Sequence, residues 1–226
     1  LTLIRLEFSL NLALHSVKLT WCQLESIFDT MSSENIKTRT RILQAAWKLL
    51  EAGKGKGVRM SDIAKQADIS RQAVYLHFSN RSELLIATTL YIDEMNNSDA
   101  RLSASRSAKT GIERLDAFID AWGNYIPEIY PVAKALLAMK DTDDAAAKAW
   151  YHRMQALRQG CEAAVSALDR DRKLSENYTQ KQATDVLWML LSVRNWELLT
   201  IECAWTKQQY IDKTQQLAKQ VFVISD

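Results

Sequence analysis

Proline and glycine are scarce in this chain, two and six of its 226 residues. With so few breakers, few β-branched runs and many Ala, Leu, Gln, Lys and Glu residues, the composition predicts an almost entirely α-helical protein. Cysteine and histidine are scarce too. Cys22, Cys161 and Cys203 lie far apart, as do His15, His77 and His152, so the spacing offers neither a zinc site nor a disulfide framework. A reducing, cytoplasmic setting without metal or cofactor is the expectation. No run of about eighteen uncharged apolar residues exists, so no membrane-spanning helix is expected. Catalysis would need a nucleophile with its base, or clustered carboxylates and histidines, and no such set stands out. Asp141, Asp143 and Asp144 fall at a loop and helix start, where acids suit the helix dipole. The loop 54–57, Lys-Gly-Lys-Gly, lacks the spacing and the trailing Gly-Lys-Ser/Thr of a phosphate-cradling loop. The chain reads as a non-enzyme, with no internal repeat.

What is present is concentrated in residues 61–85, SDIAKQADISRQAVYLHFSNRSELL. Ser61 is placed to cap a short helix whose Ile63, Ala64 and Ala67 share one face. Asp68 and Ile69 turn the chain, and Ser70 caps again. Val74 and Phe78, four apart, face inward, leaving Arg71, Gln72, Ala73, Tyr75 and His77 on or beside the outer surface. Asn80 and Glu83 then form a capping-box pattern that opens a longer helix. Two short helices around a tight turn, followed by a long one, make a helix-turn-helix.

These residues resemble the DNA-binding domain of the TetR family of bacterial transcriptional repressors. The likeness covers about fifty residues in order: Ile42 to Ala46 with Leu49, Leu50 and Gly53, then Ile63-Ala64, Ser70, Tyr75, His77-Phe78 and the helix opening from Arg81 to Leu84. Asp68 stands where the family usually has Gly, and Arg81 where it usually has Lys. Asp tolerates a left-handed backbone better than most residues, and Arg keeps the charge. The resemblance implies an all-α fold, with an N-terminal three-helix DNA-binding domain and a larger C-terminal helical domain for ligand binding and dimerisation.

Charge follows this division, since residues 33–81 hold ten Lys/Arg against four Asp/Glu, a net of +6, whereas residues 82–226 hold seventeen against twenty. A basic head suits phosphate neutralisation, although an ordinary solvated face would look similar. The expected domains are 1–32, 33–80 and 81–226. The first is an extension with a strand-like alternation over 6–14, and Met31 is the expected native start; a genuine amphipathic extension is the alternative. Helices are predicted over 35–52, 81–97, 111–125, 132–140, 144–168, 179–203 and 207–223, with Pro127 and Pro131 breaking the connection between the third and fourth of these.

Roles follow from chemistry. Arg71 and Gln72, near the start of the recognition helix, match the paired acceptors of guanine and the edge of adenine, and Ala73 suits a thymine methyl group. Arg71 and Gln72 could instead bind phosphate. By family likeness Tyr75 and His77 meet phosphates. Ser61, Ser70 and Arg81 are placed to grip the backbone at helix starts, with Thr38, Arg39 and Arg59 as additions; the serines could equally be caps alone, and Arg39 a surface charge. The resemblance further implies a small-molecule cavity, for which Trp122, Tyr125, Trp150, Met154 and Trp188 are candidates, though aromatics in a helical body are first of all core. It also implies a homodimer, with Trp188, Leu191, Leu198, Tyr210 and Leu217 at the interface, while plain monomer core is the other reading of that stripe. The expected function is a ligand-responsive repressor on a palindromic operator. A helical enzyme and a non-specific architectural DNA-binding protein are the alternatives.

Overall fold

The structure is a computed structural model that describes residues 21–53 and 58–224, with side chains from Ser33 onward. The strand-like run 6–14 and the loop 54–57 lie outside the described residues. The chain forms two compact units, 1–40 and 41–226. Helix α1, Trp21–Ala52, begins well before the expected residue 35. In the first unit its residues 33–37 are exposed.

In the second unit the end of α1 buries Ile42, Leu43, Ala45, Ala46 and Leu50. Against them pack α2, Met60–Gln66, and α3, Arg71–His77. The sequence places Ser61 as a cap, but α2 starts two residues earlier than that, with Arg59 in the cap position and no side-chain cap bond. Burying Met60 in the core draws the first turn forward, and Ser61 is left exposed in it. The turn that follows is built as expected around Asp68, whose φ of 52° is left-handed. There the Ile69 N–H donates to the Ala64 carbonyl at 3.0 Å and the Asp68 N–H to that of Lys65 at 3.2 Å, closing the helix end with paired backbone bonds. Arg41 locks it from α1, donating through Nη2 to the Ala67 and Asp68 carbonyls at 2.5 and 3.1 Å. Ser70 caps α3 by accepting from the Ala73 N–H at 3.0 Å. Val74 and Phe78 are fully buried.

Helix α4, Arg81–Met95, is capped by Asn80, which accepts from the Glu83 N–H; the Glu83 carboxylate reaches back one residue further than expected, to the Ser79 N–H and hydroxyl. Two short turns follow, α5, Ser98–Arg101, and α6, Ser103–Ser107. Helix α7, Gly111–Met139, then runs straight through Pro127 and Pro131, where a break is predicted. The prolines are four apart and avoid the buried side, so the long apolar face through Leu115, Ile119, Ile126 and Leu136 outweighs the two lost backbone bonds. Helix α8 is Asp144–Arg170. A Cβ on Gly111 would stand 2.6 Å from the Ala167 backbone, so glycine sets how closely α7 approaches the end of α8.

The helix expected over 179–203 is interrupted. It consists of α9, Gln180–Leu190, then α10, Val193–Glu197, and a π-helical turn, Leu198–Glu202. Ser192 restarts the helix by accepting from the Asn195 N–H, the competition with helical bonding typical of a serine hydroxyl. Helix α11 is Lys207–Phe222, opened by a Thr206–Gln209 capping box. Among the described residues the only strand-like feature is a bridge between Leu174 and Val223.

Two apolar clusters result. One begins at Ile42, takes in α2 and α3, and continues through Leu84, Leu85 and Ile92 of α4 to Leu136 and Met139 of α7 and Ala146 and Ala149 of α8. The other fills the body between α7, α8, α9, α10 and α11. Ion pairs join α4 to the α8 segment at both ends. Arg81 meets the Asp143 carboxylate at 2.7 Å, and Arg153 bonds Asp93. Asp143 also caps α8 by accepting from the Ala145 and Ala146 N–H groups. Burial alone would raise its pKa, but Arg81 and these two N–H donors together hold it below the usual aspartate value.

Two outcomes follow. Ser70→Ala should cost about 1 kcal/mol in urea denaturation as a lost cap, whereas Ser61→Ala should stay within about 0.5 kcal/mol. Because the folded state depresses the Asp143 pKa, its contribution is present above the ordinary aspartate value and lost as pH falls through the folded value. Asp143→Asn keeps a capping oxygen, so it should flatten the stability curve specifically below about pH 4.

Candidate functional site

The outer face of α3 carries the expected readers. Arg71, Gln72 and Tyr75 are exposed, while Ala73 and His77 are half-buried. Arg71 lies over the Tyr75 ring, its guanidinium carbon 5.6 Å from the centroid and Nη2 3.4 Å from the hydroxyl. These two side chains, with Arg59, Ser61, Arg81 and Asp143, surround an open polar recess beside α3. Four residues chosen from sequence as backbone contacts therefore stand at one flank of the recognition helix. Ser70 is exposed at the helix start, with its oxygen engaged by Ala73. Arg39 is exposed and Thr38 half-buried on α1.

Arg81 differs from the expectation of a residue held out to phosphate. Its Nε donates to the Val58 carbonyl and its Nη atoms contact the Asp143 carboxylate. Only a quarter of its side chain is exposed. It ties the recess to the α8 start. Sequence reasoning missed Arg41, because one arginine among several on a basic helix shows no sign of turning inward. It also missed Leu76, which is 87% exposed on α3.

The body holds a cavity of about 190 Å³; a void of roughly 150 Å³ accepts a benzene ring. Four of the five candidates, Trp122, Tyr125, Trp150 and Met154, line it. Trp188 does not; it packs half-buried against the body core, drawn there by the same apolar surface that made it a candidate. The lining is mostly apolar, with one polar corner made by Asp93, Arg101, Tyr125 and Arg153. Asp93 accepts from both the Tyr125 hydroxyl and Arg153. Burial, with Asp93 adding to it, raises the Tyr125 pKa and keeps the phenol protonated as a donor. Arg101 stacks 5.6 Å from the Tyr125 centroid while bonding both Glu128 oxygens at 2.8 Å. Nothing in the sequence marks this corner beyond charges that interrupt apolar helices.

The candidate interface stripe divides. Leu191 and Tyr210 are 0% exposed within one chain, so neither can meet a second subunit, and both belong to the body core. Leu198 and Leu217 are 48% and 43% exposed. Met189 and Ile201 are large exposed apolar residues on the same three elements, α9, the π turn and α11. Helical spacing alone could not separate the two groups, because the break at 191–192 changes the face after it. Among the described residues there is no helix long and apolar enough to cross a membrane, and no group of three His, Cys, Asp or Glu that could hold a metal ion.

Residues 42–88 match the family described as bacterial regulatory proteins, tetR family. The chain is 25% identical over 193 residues to the HTH-type transcriptional regulator CymR of Pseudomonas putida, covering 80% of this chain and 86% of that protein. In fold it is similar to the fatty acid degradation regulator FadR of Bacillus halodurans, at 17% identity and TM-score 0.62, over 80% of this chain and 94% of that one. NalD of Pseudomonas aeruginosa, described as the secondary repressor of the MexAB-OprM multidrug efflux pump, gives 19% identity and TM-score 0.59, over 84% and 98%. The helix-turn-helix match, the extended relative and the common body fold agree: residues 42–88 carry the match to the tetR family of bacterial regulatory proteins, and the chain around them is similar in sequence and fold to regulators with such a domain.

Proposed function

We propose that this chain is a cytoplasmic, ligand-responsive transcriptional repressor that binds a palindromic operator as a homodimer. Residues 33–80 act as the DNA-reading head, and residues 81–226 bind the effector and the second subunit. The observation that carries the reading is the outward polar face of α3 beside a recess bearing Arg59, Ser61 and Arg71. Arg71 and Gln72 meet base edges, and Tyr75, His77, Ser70 and the recess grip phosphates. Thr38 and Arg39 add to the backbone contact.

Effector control is supported by helix α4. Leu84 and Leu85 pack under the helix-turn-helix, while Thr89, Ile92 and Asp93 line the cavity. A molecule seated there would press on α4 and on the Asp93–Arg153 pair, tilting the head attached to the other end. Two heads must stand about one turn of DNA apart, or a multiple of it, so a tilt lowers operator affinity. A second subunit covers the apolar surface around Leu198 and Leu217.

Selection from random-sequence DNA by the full chain should return an inverted repeat. Enrichment without a motif would favour the architectural reading, and no retention at low salt would remove DNA binding altogether. The Leu198→Lys/Leu217→Lys double variant should sediment as a monomer with its helicity intact and lose at least about tenfold in affinity for that repeat, the scale of 1.4 kcal/mol of lost coupling.

A further inference from the structure

Leu76 is the most exposed large apolar residue among those described, at 87%, and it stands on the recognition helix. A leucine fully in water carries an unfavourable hydration term with no return inside the monomer. Its direction is fixed by helix geometry. Val74 is the fully buried side chain of α3, and at 100° per residue Gln72 and Leu76 each lie roughly 160° from it. Arg71, Ala73, Tyr75 and His77 all lie nearer the buried side. Gln72 and Leu76, four apart, thus form the crest of α3, and Arg71 with Tyr75 forms its flank toward the polar recess.

We infer that Leu76 is a specificity-determining residue that reads a thymine C5-methyl group in the major groove, beside the base read by Gln72. The inference rests on the proposed regulator reading and names part of what the head recognises. Of the groups on base edges in that groove, the thymine methyl is the apolar one, and a side chain without donor or acceptor can discriminate only through it. The crest position makes Leu76 enter a groove more deeply than Ala73, whose methyl is half-buried against the protein. The thymine role expected of Ala73 from sequence passes to Leu76. The polar flank supports a duplex as the occupant: Arg59 and Ser61 lie on the side that would face the phosphates if Leu76 points to the groove floor. A hydrophobic protein partner would gain nothing from that flank.

The test is a double-variant cycle on the inverted repeat that the wild-type full chain selects from random DNA. Each thymine is replaced in turn by uracil, which lacks only the methyl group, and affinity is measured for wild type and for Leu76→Ala. The expected result is one thymine per half-site whose replacement weakens wild type by about fourfold, the worth of one buried methyl-sized group. The same replacement should leave Leu76→Ala unchanged. Equal losses in both proteins, or no methyl-sensitive thymine at all, would overturn the inference while leaving the regulator reading standing. Failure to recover any repeat with wild type would overturn that reading, and this inference with it. Because Leu76 touches little in the monomer, Leu76→Ala should fold as wild type does; Leu76→Gln, equally tolerated, should shift the preferred base at that position away from thymine.

Discussion

The burial of α4 between two neighbours is the constraint on which the rest of this molecule depends. Its first half closes the core under α2 and α3, and its second half walls the cavity in the body. The helix-turn-helix has no apolar core that closes by itself: the cluster starting at Ile42 ends only at α7 and α8. Two short helices of seven residues each would be marginal alone. They are stable here because Val74, Phe78, Ile63 and Met60 share a core with residues far along the chain.

The polar contacts repeat the same logic. Arg81 and Asp93 are twelve residues apart on α4, and their partners Asp143 and Arg153 are ten apart along the α8 segment. At about 1.5 Å per residue these spacings are similar, so the two helices run side by side in the same direction with an ion pair near each end. One pair lies in the cavity lining and the other beside the polar recess. Half-buried pairs of this kind contribute little to net stability, but removing one partner leaves a charge uncompensated. Their effect is to fix the register of α4 against α8.

Much of this was legible from the residues. The turn at Asp68, the Ser70 cap, the inward Val74 and Phe78 and the Asn80 start are local features, set by side chains within four positions of each other. Of the five cavity candidates named from sequence, the four that line it, Trp122, Tyr125, Trp150 and Met154, were legible as aromatic or sulfur-bearing groups on body helices. What was not legible depends on partners distant in sequence. Pro127 and Pro131 forecast a break that the long buried face of α7 overrides. Leu191 and Tyr210 look like Leu198 and Leu217 in any periodicity, and only the interruption at Ser192 sorts core from surface. Arg81 reads as a free cation until Asp143, sixty-two residues away, comes beside it.

That last pairing bears on how the head would respond to ionic strength. Affinity for a duplex falls with added electrolyte in proportion to the counterions each cationic side chain displaces, about 0.9 of a logarithmic unit per phosphate neutralised. An arginine already neutralised by Asp143 displaces none. In the proposed reading, electrolyte dependence would be governed by the cations left facing outward, Arg59 among them, so the head would grip its polyanion less steeply than the formal charge of +6 over 33–81 suggests.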